Sequence, residues 1–174
     1  MALLVIAYPK FKQADFDRIQ AFRLTYDFQY ELVEPHFTLV FPLAAPWTAD
    51  HLSAEIEKKI DGFSPFDFCL RCATINKDAF ADLYHLFLVP DEGFSKILKL
   101  HDKLYDGKLF PHRSLDIDYI PHITAGNSKS SQECLDMVAS WNDSEFEIWG
   151  KITHLDLIEA EGDRVRTLKQ FILR

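Results

Sequence analysis

The chain contains one four-residue pattern twice, as Pro35-His36-Phe37-Thr38 and as Pro121-His122-Ile123-Thr124. Each copy opens a short apolar segment that is typical of a strand. Because side chains at positions i and i+2 of a strand point to the same face, each imidazole is predicted to stand beside its own threonine hydroxyl. The two copies therefore indicate two equivalent strands, each carrying a His/Thr pair.

The elements around the two copies follow the same order. Each half is predicted to form a strand, a helix, the Pro-His-x-Thr strand, a second helix and a further strand. Equivalent positions lie 80 to 86 residues apart: Leu3 with Tyr84, His36 with His122, and Phe66 with Phe146. This predicts an internal repeat, approximately 1–78 and 84–161, with a final strand at 164–173. The period is too long for a solenoid, so we expect one two-lobed, pseudo-symmetric domain over residues 1–174.

Hydrophobic spacing and breaker residues predict the individual elements. Helices are predicted over 15–24, 94–105 and 131–141. A further helix is predicted between a cap at Thr48 or Asp50 and an end at Gly62. The predicted strands are 3–7, 36–41, 66–75, 84–89, 122–125, 146–158 and 164–173, and 107–121 is predicted to be a loop.

Composition limits the class of protein. The 174 residues are 48% hydrophobic and 26% charged, enough apolar material for a folded core. A net charge of -8 argues against a sequence-blind binder of long duplex nucleic acid, which needs basic residues to displace counterions. A nucleotide or an RNA terminus remains a possible partner, because a local site can oppose the overall charge.

The six glycines exclude two common nucleotide-binding loops. They stand at positions 62, 93, 107, 126, 150 and 162, with no two closer than twelve residues. Neither a Walker-type P-loop nor the dinucleotide-binding G-x-G-x-x-G loop fits that spacing.

Cysteine use and hydropathy point to the cytoplasm. Cys69 and Cys72 have the C-x-x-C spacing but lie in a strand-like run, where positions three apart face opposite sides. Reduced thiols are therefore expected rather than a zinc or redox site. No run approaches eighteen apolar residues, and the apolar start at 1–8 lacks a basic leader and a cleavage signal. We expect a cytoplasmic monomer with no membrane partner.

The two His/Thr pairs suit phosphodiester hydrolysis if they face each other across a cleft. One neutral imidazole takes a proton from water, and one imidazolium gives a proton to the departing ribose oxygen. The hydroxyls of Thr38 and Thr124 can hydrogen-bond the phosphoryl oxygens without a metal or other cofactor. Two alternatives stay open: a catalytically silent nucleotide- or RNA-binding module that uses the same groove, and a partner-binding protein.

Nearly the whole chain resembles the two-histidine (2H) phosphoesterase superfamily, and within it the bacterial 2'-5' RNA ligase-like proteins. The likeness rests on the apolar first strand and on the segments 35–42, Phe66-x-Phe-x-Leu70, 84–90, Leu100-His101 and 119–126. It implies an α+β fold in which antiparallel sheets line a central groove with helices outside. It also implies that His36, Thr38, His122 and Thr124 form the active site and that no metal is needed. Members of the superfamily act on 2',3'-cyclic phosphates, 2'-5' linkages or related nucleotide cyclic phosphates, and the resemblance does not choose among these substrates.

Other polar residues are weaker candidates. Arg113 and Tyr119 lie in the loop before the second motif, where Arg113 could pair with a phosphate and Tyr119 could stack on a base. A solvated loop with Tyr119 packed at its base is the alternative. We expect His51 and His101 to be surface or boundary residues of helices, and His85 and His154 to be structural strand residues. No histidine spacing matches a metal site.

Overall fold

The computed structural model describes residues 2–43 and 45–174. Along the chain its elements are β1 (Ala2–Ala7), β2 (Lys10–Phe11), α1 (Gln13–Tyr26), β3 (Phe37–Leu43), α2 (Ala49–Ile60), β4 (Phe66–Lys77), β5 (Tyr84–Glu92), α3 (Phe94–Leu104), a 3-10 helix (Gly107–His112), β6 (Ile123–Ser128), α4 (Ser131–Asn142), β7 (Ile148–Ile152), β8 (His154–Glu161) and β9 (Arg164–Ile172). The predicted α+β class is confirmed.

The strands form two antiparallel sheets. The first has the order β3-β1-β8-β9 and the second has the order β2-β7-β4-β5-β6. The two strands that follow the histidines, β3 and β6, each end their sheet. Each of them therefore has one edge that pairs with no described strand, and this edge is free to meet other parts of the chain or a ligand.

The two halves of the chain are interlaced. β1 and β3 lie in the first sheet, whereas β4 crosses to the second sheet and pairs with β5. The helices exchange in the same way, since α1 packs against β6 and α3 packs against β3. The first helix of each half thus supports the motif strand of the other half.

The core between the sheets orients the first motif. Phe37 of β3 meets Phe68 of β4 edge-on, with ring centroids 4.9 Å apart, and both side chains are fully buried. Neighbouring side chains on a strand point to opposite faces, so burial of Phe37 turns Thr38 away from this core. Thr38 is half-buried.

Gly126 lets two helices approach the second motif strand. A Cβ at this position would lie 2.9 Å from the Met137 sulfur and 3.1 Å from Cβ of Tyr26. Met137 belongs to α4 and Tyr26 to α1. The missing side chain at Gly126 therefore allows both helices to pack directly on β6.

The prediction of one long strand over 146–158 is wrong. The chain forms β7 and β8 there, separated at Thr153 and placed in different sheets. Apolar residues alternate on both sides of the break, as Ile148 and Ile152 do in β7 and Leu155 and Leu157 do in β8. The alternation shifts by one residue at the break, from even positions in β7 to odd positions in β8, and this shift is the sequence signal that a single long strand overlooks.

Two predictions that depend only on neighbouring residues, a helix cap and the directions of two cysteines, agree with the structure. Thr48 caps α2, accepting a hydrogen bond from the His51 amide at 3.3 Å. Cys69 is buried and Cys72 is exposed, in agreement with the prediction that the two thiols face opposite sides of the strand. Within the described ranges, none of the helices combines the length and apolar character needed to cross a bilayer.

Candidate active site

The two histidines occupy equivalent places in the fold. His36 lies directly before β3, and His122 lies directly before β6. These are the two strands that end the two sheets. Both motifs thus sit at the edge of a sheet.

A β-bulge follows each threonine. In β3, Thr38 pairs with Ile6 and Val40 pairs with Val5, so Leu39 is an additional residue. In β6, Thr124 pairs with Phe87 and Gly126 pairs with Leu86, so Ala125 is the additional residue. Bulges bend a strand and re-aim its side chains, and they are frequent beside active sites. The repeat seen in the sequence therefore extends to the register of the strands.

Each imidazole makes the same hydrogen bond. Nδ1 of His36 lies 2.8 Å from the carbonyl oxygen of Glu34, and Nδ1 of His122 lies 2.5 Å from that of Ile120. A carbonyl oxygen only accepts, so Nδ1 carries the proton in both rings. No described residue hydrogen-bonds to either Nε2. Each Nε2 is therefore the atom that can take or give a proton.

Burial governs the protonation of both rings. Burial lowers the pKa of His36 below the ordinary value for a histidine, although the hydrogen bond to the Glu34 carbonyl raises it. Burial also lowers the pKa of His122 to about 4, and charges on His36 and His85 act in the same direction. A positive charge on His36 therefore disfavours protonation of His122.

Aromatic rings hold the imidazoles in place. His122 stacks on Phe87 of β5, with centroids 3.5 Å apart and planes 11° apart. His36 meets the edge of Tyr8 at 6.0 Å. Packing of this kind restricts the rings to the orientation that presents Nε2.

A cavity of about 590 Å³ opens beside the second pair. It is lined by His122 and Thr124 together with Gln29, Phe41, Pro42, Asn76, Lys77, Asp78, Ala79, Phe80, His85, Phe87, His112, Ser114, Ile117, Asp118, Tyr119 and Ile120. His36 and Thr38 are not among the described residues that line it. The lining mixes aromatic rings with amide, carboxylate and imidazole groups, and its volume suits a nucleotide-sized ligand.

The two weaker candidates lie in different surroundings. Tyr119 lines the cavity, donates from its hydroxyl to the Thr38 carbonyl at 2.9 Å, and stacks on His101. The Arg113 guanidinium pairs with Asp102 of α3 at 2.8 Å and is not a lining residue of this cavity. The structure thus brings Tyr119, but not Arg113, to the wall of the cavity.

The expectation that His101 is a surface or boundary residue is wrong. Its side chain is buried, Nδ1 bonds to the Leu39 carbonyl at 2.8 Å, and its ring stacks on Tyr119 with centroids 3.5 Å apart. Burial lowers the pKa of His101 to about 4, so the ring stays neutral near pH 7. The spacing of α3 could have shown the burial, because His101 lies on the same helical stripe as Ile97, Leu100 and Leu104. Its partners could not be read from that spacing, because the strand that α3 packs against comes from the other half of the chain.

Sequence reasoning also missed a pair beside the cavity. Nε2 of His85 lies 2.9 Å from the Asp78 carboxylate, whose second oxygen accepts from the amides of Phe80 and Ala81 at 2.7 Å each. His85 and Phe87 are two apart on β5, and this spacing is the signal that could have placed His85 on the same face. In the described parts of the chain, no cluster of three His, Cys, Asp or Glu side chains is arranged to hold a metal ion.

A buried polar network connects the end of α1 to β6. Nε of Arg23 donates to the Asp27 carboxylate at 2.7 Å, and the Asn127 amide donates to the other oxygen of that carboxylate at 2.9 Å. Arg23 also donates to the Val33 carbonyl at 2.7 Å. The network joins the end of α1 both to β6 and to the segment that leads into His36.

Comparison with known proteins identifies the family. The sequence profile of the 2'-5' RNA ligase superfamily matches residues 9–164, a span that contains both His/Thr pairs. The chain therefore belongs to the 2'-5' RNA ligase superfamily, which confirms the resemblance to the two-histidine phosphoesterases. A Staphylococcus haemolyticus protein named as a candidate phosphoesterase is 25% identical over 161 residues, which span 90% of this chain and 91% of that protein.

Solved structures share the fold. TT0787 of Thermus thermophilus has a TM-score of 0.64 at 15% identity, covering 100% of this chain and 98% of that one. Usb1 of Kluyveromyces marxianus has a TM-score of 0.57 at 10% identity, covering 96% and 97%. E. coli LigT, crystallised in complex with 3'-AMP, has a TM-score of 0.55 at 15% identity, covering 99% and 97%. At these identities the likeness establishes the two-sheet architecture alone.

Proposed function

We propose that the protein is a phosphodiesterase of the two-histidine class that acts on RNA-type phosphodiesters. The reaction is the opening of a 2',3'-cyclic phosphate, or the cleavage or joining of a 2'-5' linkage. His36 and His122 share the acid and base roles, Thr38 and Thr124 bind the phosphoryl group, and no metal takes part. Family membership supports the class, and the site geometry supports the assignment of roles.

The observation that carries the proposal is the shared hydrogen bond of the two rings. Because Nδ1 of each histidine donates to a backbone carbonyl, Nε2 is a base when the ring is neutral and an acid when the ring is protonated. Hydrolysis needs one ring in each state. Nε2 of the neutral ring takes the proton of the attacking water, and Nε2–H of the charged ring protonates the departing ribose oxygen.

The threonine hydroxyls complete the site. Neither Thr38 nor Thr124 uses its hydroxyl in a hydrogen bond to another described residue. Both stand two positions after a histidine, and the bulge behind each one sets its direction. A hydroxyl held in this way donates to a non-bridging phosphoryl oxygen as charge develops there.

The surroundings favour a small or terminal nucleotide. The cavity beside His122 presents Phe41, Phe80 and Phe87 next to polar groups, and aromatic faces of this kind stack on bases. The net charge of -8 disfavours long duplexes. Structures of LigT in complex with 3'-AMP and with ATP support nucleotide binding in proteins of this fold.

A binding module without turnover is the second candidate. The observation in its favour is the lowered pKa of both histidines, which leaves both rings neutral near pH 7 when the site is empty. An acid is then absent until an anionic phosphoryl group enters and raises the pKa of the ring beside it. An enzyme therefore needs the bound substrate to protonate one of the two rings, whereas a binding module needs neither ring to be protonated.

Product analysis separates the two candidates. The protein is incubated in EDTA with a 2',3'-cyclic mononucleotide, a 2'-5' dinucleotide and a 3'-5' dinucleotide, and binding is measured in parallel by calorimetry. Phosphomonoester formed from the first substrate, or phosphomonoester or 2',3'-cyclic phosphate formed from the second, supports the phosphodiesterase. Tight binding of all three without product would overturn the proposal in favour of the binding module.

A further inference from the structure

The free edge of β3 is covered by side chains instead of a neighbouring strand. The Tyr119 hydroxyl donates to the Thr38 carbonyl at 2.9 Å, and His101 Nδ1 donates to the Leu39 carbonyl at 2.8 Å. The Phe41 amide donates to the Tyr105 hydroxyl at 2.9 Å. Three outward-facing groups of the strand that follows His36 are thus satisfied by α3 and the segment after it.

One of these bonds differs from the other two. His101 and Tyr105 belong to α3 and its end, but Tyr119 stands three residues before His122. Three residues span at most about 10 Å when extended. The Tyr119 hydroxyl therefore links the backbone of the first His/Thr pair to the chain segment that carries the second pair.

We propose that Tyr119 is a positioning residue that sets the distance between the two His/Thr pairs, holding the Thr38 backbone through its hydroxyl. The inference rests on the proposed acid–base function of His36 and His122. Both rings must reach opposite sides of one phosphoryl group, and a displacement of about 1 Å at a reacting group can cost about 100-fold in rate. A direct link between the backbone of Thr38 and the segment that leads into His122 limits such displacement.

The ring of Tyr119 is fixed on two sides. One face stacks on the buried His101, with centroids 3.5 Å apart and planes 4° apart. The ring of Phe41 meets it edge-on at 6.2 Å. His101 is itself held to β3 by its bond to Leu39. The ring is therefore part of a packed stack against β3, and its hydroxyl is aimed at one acceptor.

The hydroxyl is a permanent donor. Burial raises the pKa of Tyr119 well above the ordinary value for a phenol, and the neighbouring Tyr105 and Asp102 act in the same direction. The proton needed for the bond to Thr38 is thus present wherever the histidines titrate. The hydrogen bond between Tyr119 and Thr38 therefore does not weaken over the pH range in which the histidines titrate.

This role differs from the base stacking suggested by the sequence. A stacking tyrosine contributes through its ring, so loss of the hydroxyl alone would leave its function intact. A positioning tyrosine contributes through the hydroxyl, so the same loss would slow the chemical step. Tyr119→Phe separates the two roles, because it keeps the ring and removes only the oxygen.

Tyr105→Phe is the matched control. It also removes one tyrosine hydroxyl that bonds to the β3 backbone, but Tyr105 has no direct chain connection to His122. We expect similar, small decreases in melting temperature for the two variants. We expect kcat to fall about 10- to 100-fold in Tyr119→Phe with KM changed less than about twofold, and kcat to stay within about twofold in Tyr105→Phe.

The kinetics use the cyclic mononucleotide and are normalised to folded protein by circular dichroism. A wild-type kcat for Tyr119→Phe, an equal loss in both variants, or a change confined to KM would overturn the positioning role while the proposed function stands. A wild-type protein that binds the nucleotide without turnover contradicts the proposed function, and the positioning role with it.

Discussion

His36 and His122 are held by the same contact, a hydrogen bond from Nδ1 to the carbonyl oxygen two residues earlier in the chain. The contact is short in both cases, 2.8 Å to Glu34 and 2.5 Å to Ile120. It fixes the tautomer and leaves Nε2 as the reactive atom of each ring. Two equivalent rings that differ only in their surroundings can exchange acid and base roles when the reaction reverses.

The lowered pKa values of both histidines predict an acidic optimum. Activity needs one neutral and one protonated ring, and in the free protein both pKa values lie below the ordinary value near 6.5. Above about pH 6.5 the acid form is scarce, and below the lower of the two pKa values the base form is scarce. We expect a bell-shaped dependence of kcat/KM with both limbs below about pH 6.5. Bound phosphoryl anion raises both values, so the kcat profile should lie at higher pH.

Steady-state kinetics in buffers of constant ionic strength measure these profiles. A flat kcat/KM profile, or one with its maximum in the alkaline range, would be incompatible with the two-imidazole account. Addition of EDTA should leave both profiles unchanged.

Loss of either threonine hydroxyl should slow turnover more than it weakens binding. Thr38→Val and Thr124→Val keep the side-chain shape but remove the donor to the phosphoryl oxygen. Removing one such donor costs about 100- to 1,000-fold in kcat in comparable sites. Thr38→Ser and Thr124→Ser retain the hydroxyl and should stay within about tenfold of wild type.

Thr167→Val serves as the control for these variants, because Thr167 is exposed on β9, in a strand that carries neither motif. Equal kcat values for the Val and Ser variants at the motif positions would show that the hydroxyls do not stabilise the transition state.

The buried His101 should make the protein sensitive to acid. Its pKa is about 4 in the folded chain and about 6.5 in the unfolded chain, so the unfolded state binds more protons between these values. The stabilisation is complete above about pH 6.5 and falls as the pH drops towards 4, by up to about 3 kcal/mol.

Urea unfolding at about pH 7 and about pH 4.5 measures this loss. His101→Gln keeps an amide donor for the Leu39 carbonyl and removes the titration, so its free energy of unfolding should fall less between the two pH values. His51→Gln, on the exposed face of α2, should behave like wild type. An identical acid-induced loss in wild type and His101→Gln would refute the assignment.

The ion pair between Arg23 and Asp27 should contribute strongly to stability. Both side chains are at most 2% exposed and are 2.7 Å apart, so Asp27→Ala leaves a buried guanidinium without its carboxylate. Such a change costs about 3 to 5 kcal/mol. Arg166→Ala removes an exposed pair of the same 2.7 Å length with Glu159, and should cost less than about 1 kcal/mol. Similar losses for the two variants, measured by urea unfolding, would contradict this account of the network.

The parts of the site that are local in sequence could be predicted. A histidine and a threonine two positions apart in an extended segment are predicted to share a face from local geometry alone, so both pairs could be proposed as site residues. The environment of His101 was not, because α3 packs against β3 of the other half of the chain. Phe87 lies under His122 only because β5 pairs with β6. Strand register and exchange of helices between halves are long-range properties, and periodicity does not report them.

The measurement that tests the central claim most directly is single-turnover opening of a 2',3'-cyclic phosphate at the end of an oligoribonucleotide, in EDTA, by wild type, His36→Asn and His122→Asn. An asparagine keeps polarity but cannot take or give a proton near neutral pH. We expect ring opening by wild type and a rate about 100- to 10,000-fold lower in each variant, with substrate binding and melting temperature nearly unchanged. A variant of either histidine that opens the ring at the wild-type rate would contradict the account.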